Sequence, residues 1–243
     1  MILFINACVR KESRTKRLAD AVLRKILEDA ERGTAVVAPG NRSAATDKAA
    51  RVGEPACGAF QEMAPEMAER TVRPAEIAEG AKRPFEIQEV RLEDIAFPVA
   101  DEAFLQKRDA LIEQQKWDDP IFDLARQFAA ADEIVVAAPY WDLSFPAALK
   151  QYFEQINCMG VTFDYTPEGY PAPMCRARKL HYVTTAGGAL VPEEYGYGYV
   201  NALAQEFYGI PEVDLTMAVG FDIAGADVEK ILEDAIEKVA GNN

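Results

Sequence analysis

One histidine, His181, serves a chain of 243 residues, which leaves little room for chemistry that depends on imidazole. The four cysteines, Cys8, Cys57, Cys158 and Cys175, include no C-x-x-C pair. With neither that spacing nor paired histidines, the sequence argues against a zinc site or a thioredoxin-like redox pair, and no metal is expected. A hydrolase of Ser-His-Asp or Cys-His type has to run through His181, which sits in the strand-like stretch KLHYVTT. That histidine therefore has two readings, a strand or pocket-lining residue and a proton-transfer group. No G-x-G-x-x-G and no G-x-x-x-x-G-K-[ST] occurs, so both glycine-rich phosphate signatures are missing. No run approaches the ~18 consecutive apolar residues of a membrane span. Basic residues form no stripe: 26 Lys and Arg stand against 40 Asp and Glu, a net charge of −14 at pH 7. Nucleic acid and anionic membrane surfaces are poor partners for such a chain. The apolar start Met1–Ala7 is followed at once by Arg10 and Lys11 and lacks the basic leader and cleavage site of a secretory signal. A cytoplasmic protein with reduced cysteines is the expectation.

What is present is a 49% hydrophobic chain, enough for one well-buried core. Its strand and helix patterns alternate. Ile2–Asn6 is a continuous apolar run suited to a central strand buried on both faces. Ser13 is placed to cap a helix over Thr15–Ala30, whose Leu18, Ala19, Val22, Ile26 and Leu27 recur at helical spacing. Glu86–Leu92, Glu133–Ala138, Leu180–Thr185 and Glu212–Phe221 read as further strands. Helices are expected over Ile121–Ala131, from a Ser144 cap to about Met159, over Tyr199–Tyr208 and over Asp227–Val239. Strands separated by helices imply right-handed crossovers and a parallel, doubly wound α/β sheet, here with the five-strand order 2-1-3-4-5. One stretch, about 39–84, breaks the rhythm with Ala, Glu, Pro, Gly and Arg and few aromatics, and reads as a variable insertion into a single domain spanning 1–243. Thr34–Ala38 before it competes with Glu86–Leu92 for the place of second strand.

Ligands of such sheets bind outside the carboxyl ends of the strands, so the loops there carry the candidates. After the first strand, Arg10, Ser13, Arg14 and Thr15 bring hydroxyls, cations and helix-start N–H groups together, a combination that binds a phosphate monoester; an ordinary capped helix is the other reading. After the third strand, Pro139, Tyr140, Trp141, Asp142 and Leu143 offer an apolar surface and a run of backbone donors for a flat ring. Asp142 is unusual beside such a ring, and its other reading is a helix cap shared with Ser144. After the fourth, Thr185, Ala186, Gly187 and Gly188 allow close backbone approach, or simply a tight turn.

The continuous segment Pro139–Gly188, with PYWDLSFPAALKQYFEQI, GVTFDYTPEG and TTAGG in that order, resembles the flavodoxin-like NAD(P)H:quinone and azo-compound oxidoreductases. The resemblance implies FMN as cofactor, NADH or NADPH as co-substrate and a small planar acceptor such as a quinone, azo dye, nitroaromatic or free flavin. It implies a homodimer in which the aromatic flap, with Phe163 and Tyr165 as substrate contacts, covers the partner's flavin, and it makes Tyr165 and His181 candidate proton donors. The chain departs from the family at Cys8, where a serine is common. An electron carrier of flavodoxin type, holding FMN without NAD(P)H turnover of its own, is the competing function.

Overall fold

The computed structural model describes residues 1–33 and 86–241. The Thr34–Ala38 strand alternative and the insertion at about 39–84 lie outside the described residues. Ile2–Asn6 forms β1, buried along its whole length, and is flanked by β2 (Ile87–Arg91) and β3 (Glu133–Ala137), both parallel to it. β6 (Lys179–Ala186) pairs with β3, and β7 (Glu212–Val219) closes the edge in the order β2-β1-β3-β6-β7. Apart from a two-stranded hairpin of β4 (Phe163–Tyr165) and β5 (Pro171–Pro173), this is the expected order of five. Glu86–Leu92 thus supplies the second strand.

Because successive residues of a strand face opposite sides, β1 feeds two cores. Leu3 and Ile5, with Ile134, Val136, Leu180 and Tyr182, face α3 (Asp123–Ala130) and α4 (Ala147–Ile156). Ile2 and Phe4, with Val135, Ala137 and Val183, face α1 (Arg14–Glu31) and α6 (Val228–Gly241). α1 offers Leu18, Ala19, Val22 and Leu23 to that layer from one stripe, the pattern that made it legible. Burying one such leucine is worth about 1.5–3 kcal/mol.

Several boundaries differ from the sequence reading. α2 (Glu102–Glu113), which the sequence reading lacks, buries none of its residues and begins at an Asp101 cap whose carboxylate accepts from Phe104 N at 2.9 Å. Without a buried stripe, it leaves no periodic signal. α4 starts at Ala147, with Pro146 in the cap position, and ends at Ile156. Ser144 does not cap it: its backbone closes a tight turn with Trp141, and its hydroxyl donates to Tyr195 O at 2.6 Å. The helix expected over Tyr199–Tyr208 is α5 (Tyr197–Ala202) followed by a π-helical turn, Leu203–Phe207.

Candidate functional site

The carboxyl ends of β1, β3 and β6 lie side by side, and the loops leaving them come together. Ser13 is the N-cap of α1: its Oγ accepts from Lys16 N at 3.2 Å, which leaves the hydroxyl hydrogen free to donate elsewhere. The amides of Arg14 and Thr15 open the helix with no intrahelical acceptor, at the positive end of its dipole. Arg10 and Lys11 stand exposed beside them. Thr15 Oγ1 and Thr185 Oγ1 are both buried and lie 2.7 Å apart, which ties the start of α1 to the end of β6. Cys8, behind this loop, is buried with its Sγ 3.8 Å from Ala137 O. Burial pushes its thiol up, with the Ser13 hydroxyl opposing, so it is a neutral packing residue.

After β3 the chain runs along β6, with Tyr140 N donating to Thr185 O at 3.0 Å, then reverses in a turn closed by Ser144 N to Trp141 O at 2.7 Å. Both central residues take left-handed backbone, Asp142 at φ 50° and Leu143 at φ 69°. This is the demand of a type I′ turn, which aspartate tolerates and leucine does not. The expected role of Asp142 as a helix cap is therefore corrected, since its backbone is consumed in the turn. An aliphatic side chain held at such cost, and 55% exposed, is the mark of a functional loop more than of a structural one. The Tyr140 hydroxyl and Thr184 Oγ1 are buried without a hydrogen-bond partner, and both residues line a small, partly open pocket of about 10 Å³ together with Tyr182 and Tyr197.

The two glycines after β6 have different jobs. A Cβ on Gly188 would meet nothing within 4 Å, whereas one on Gly187 would lie 1.9 Å from Asp222 Oδ2. Asp222 belongs to the loop after β7, and its amide donates to Gly187 O at 2.9 Å. Gly188 alone is open for close approach from outside; Gly187 is small because Asp222 lies on it. Around the crevice the loops carry Val9, Trp141, Leu143, Leu190, Tyr195 and Ile223, each between 41% and 85% exposed. Exposed apolar side chains gathered on the loops of one end of a sheet mark a binding face.

Two expected participants lie elsewhere. His181 is the third residue of β6, four residues before Thr185, so it stands about 13 Å away toward the amino ends. Its Nε2 is 2.7 Å from Glu133 Oε1, and Nδ1 is 3.8 Å from Asp214 Oδ2. Strand length thus carries His181 to the end of the sheet away from this crevice within its own chain. The flap is also at that end within its own chain. α4 descends about 15 Å from the crevice, and after the hairpin Arg176 N and Arg178 N bond Ala129 O and Asp132 O beside the start of β3. Phe163 is buried, its ring 4.9 Å from that of Phe207 in an edge-on contact, so it holds the hairpin down instead of meeting a ligand. Tyr165 projects from the same hairpin, 45% exposed.

Asp222 and Tyr182 are not among the residues that the sequence points to. Thr184 has a signal, its place in the TTAGG run.

A five-stranded parallel sheet wound with helices on both faces defines the doubly wound α/β class, whose ligands bind outside the carboxyl ends of the strands. A family model described as flavodoxin-like fold matches residues 67–241, and the chain belongs to that family. Among its relatives, an FMN-dependent NADH:quinone oxidoreductase of Clostridium perfringens is 35% identical over 128 residues, 52% of this chain and 64% of that protein. One of the same description from Clostridium beijerinckii is 38% identical over 127 residues, 51% of this chain and 63% of that protein. The chain thus spans a little under two thirds of the length of these relatives. Of solved structures, an azoreductase from Bacillus anthracis str. Sterne superposes with TM-score 0.64 at 18% identity, covering 98% of this chain and 96% of that one. An FMN-dependent NADH-azoreductase from Bacillus anthracis str. Ames Ancestor, in complex with FMN, gives 0.62 at 18%, covering 98% and 94%. At that identity the likeness is one of fold.

Proposed function

We propose that the protein is an FMN-dependent NAD(P)H oxidoreductase of quinone reductase or azoreductase type, acting as a cytoplasmic homodimer built from a single flavodoxin-like domain with an insertion at about 39–84. The observation that carries the reading is the junction of the α1 start with the end of β6 through the Thr15–Thr185 hydroxyl pair, beneath an exposed aromatic and aliphatic rim. The residues fit FMN: helix-start amides without acceptors suit a phosphate, and the open backbone at Gly188 suits a flat ring. The relatives' FMN-dependent NADH:quinone oxidoreductase descriptions support the same cofactor and co-substrate.

Ser13, Thr15 and the amides of Arg14 and Thr15 would hold the phosphate, with Arg10 and Arg14 supplying charge. Pro139, Tyr140, Trp141, Asp142 and Leu143 would line one side of the ring, and Thr185, Ala186, Gly187 and Gly188 the other, with Gly188 making the closest approach. The chemistry that FMN supplies when bound is two-electron transfer, with hydride from NADH or NADPH in and reduction of a small planar acceptor out. The chain's part is to position, to exclude water and to stack: Trp141 and Leu143 present apolar surface to a planar acceptor. No side-chain acid is required where solvent delivers protons. Tyr165 stands at the opposite end of the sheet in its own chain, so a role for it at the flavin would require a second copy. No described helix is long and apolar enough to cross a membrane, and NADH and NADPH are cytoplasmic reductants.

The test is a visible spectrum of the purified protein before and after anaerobic addition of NADH or NADPH. Flavin absorption near ~450 nm that bleaches promptly on mixing is the expected result. Bound flavin that stays oxidised under both nicotinamides would put the electron carrier in place of the enzyme. Failure to hold FMN at all would reduce the resemblance to one of fold.

A further inference from the structure

The carboxylate of Asp222 lies where only a glycine leaves room for it, against Gly187 at the end of β6. Its Oδ1 is 3.7 Å from Arg14 Nη1, and the Arg14 guanidinium lies over the Phe221 ring, 5.0 Å from its centroid. Arg14 is the first residue of α1 and flanks the amides assigned above to a phosphate. Of the other cations in the first turn of α1, Lys16 pairs with Asp20 at 2.9 Å and Arg17 with Glu229 at 2.8 Å. Arg14 is thus the helix-start cation held by an acid from the far side of the crevice, and that acid is itself locked by its backbone bond to Gly187 O.

We propose that Asp222 is a specificity-determining residue of the flavin site, an internal anion that competes with the phosphate for Arg14 and so sets how strongly the site prefers a phosphorylated flavin over an unphosphorylated one. This rests on the FMN reading above. A phosphate monoester carries nearly two negative charges, so it displaces one carboxylate from the guanidinium, but only by breaking the Asp222–Arg14 contact. Riboflavin, with no phosphate, leaves that contact in place. Asp222 therefore weakens FMN selectively, and the ring and ribityl contacts are untouched by it. Exposed ion pairs of this kind are worth at most about a fivefold change in an equilibrium. Asp222 is largely exposed and Arg14 more than a third exposed, which sets the same ceiling here.

The test is binding, read by quenching of flavin fluorescence on the full chain freed of flavin. Asp222→Asn keeps the shape against Gly187 and removes the charge. It should tighten FMN about two- to fivefold and leave riboflavin unchanged, and in an Arg14→Ala background the same substitution should leave both unchanged. Equal shifts for FMN and riboflavin, or a shift that persists without Arg14, would overturn the role of Asp222 while leaving the FMN site standing. A chain that binds neither flavin in any variant would overturn both. A shift that shrinks as salt is raised from low to ~0.5 M supports the electrostatic cause.

Discussion

Removing one hydroxyl of the Thr15–Thr185 pair should cost more than removing both. The two oxygens are 2.7 Å apart, with Thr15 1% and Thr185 9% exposed. Thr15→Val keeps the shape of the side chain and leaves the Thr185 hydroxyl buried without its partner. An orphaned buried hydroxyl costs about 1–3 kcal/mol, and the slight exposure of Thr185 favours the lower part of that range, about 1–2 kcal/mol. For a chain of this size that is a fall in Tm of roughly 2–8 °C. Thr185→Val should cost a similar amount. The double variant removes donor and acceptor together and should lie within about 0.5 kcal/mol of the parent, giving a coupling of about 2 kcal/mol in the double-mutant cycle. Urea unfolding of the four proteins, followed by far-UV circular dichroism, measures it. Additive losses would refute the reasoning, because they would mean that each hydroxyl is satisfied independently. The double variant also separates structure from function: folded but unable to retain FMN, it assigns the hydroxyls to the phosphate; folded and flavin-bound, it makes them a fastening between α1 and β6.

Gly160 has φ 78°, and an added Cβ would lie 2.6 Å from Trp117 Cη2. Gly160→Ala should cost about 2–4 kcal/mol from left-handed strain and a displaced ring, and an unchanged urea midpoint would contradict this. Leu143→Asn, which suits φ 69°, should raise stability by about 0.5–1 kcal/mol and weaken turnover of apolar acceptors, whereas a loss of stability would show that the leucine packs in the free protein. Burial pushes the thiols of Cys158 and Cys175 up from 9.0 to about 11 and about 12. The folded state then holds these protons more tightly than the unfolded chain. Stability from this source is complete below pH 9 and declines as pH rises toward 11–12, by up to about 1.4 kcal/mol per unit for each thiol. Denaturation between pH 8 and 10.5 should show the decline, with a shallower slope in the Cys158→Ala, Cys175→Ala variant; equal slopes would remove the thiols as the cause.

What this sequence determined by itself is the set of elements whose signal is local. The apolar runs of β1 and β3 and the stripe of α1 state their own burial, because a strand covered on both faces has no place for a polar side chain. Alternation of such strands with helices then imposes the parallel order, and with it the end of the sheet where a ligand sits. Ser13 and Thr15 were legible for the same reason: a helix start needs a cap within a few residues. Tertiary structure decided the rest. His181 and Thr185 occupy one strand and look equally placed in sequence, yet the length of β6 puts them at opposite ends of the sheet. Phe163 and Tyr165 lie two residues apart on one strand and so share a face, and only the packing of Phe207 selects which of them is buried. The left-handed turn at Asp142 and Leu143 and the seat of Asp222 on Gly187 depend on how loops from distant strands close over one another. A contact between residues 35 positions apart leaves no periodic trace, because it is set by strand register and by the twist of the sheet, and neither is a property of a local run of residues.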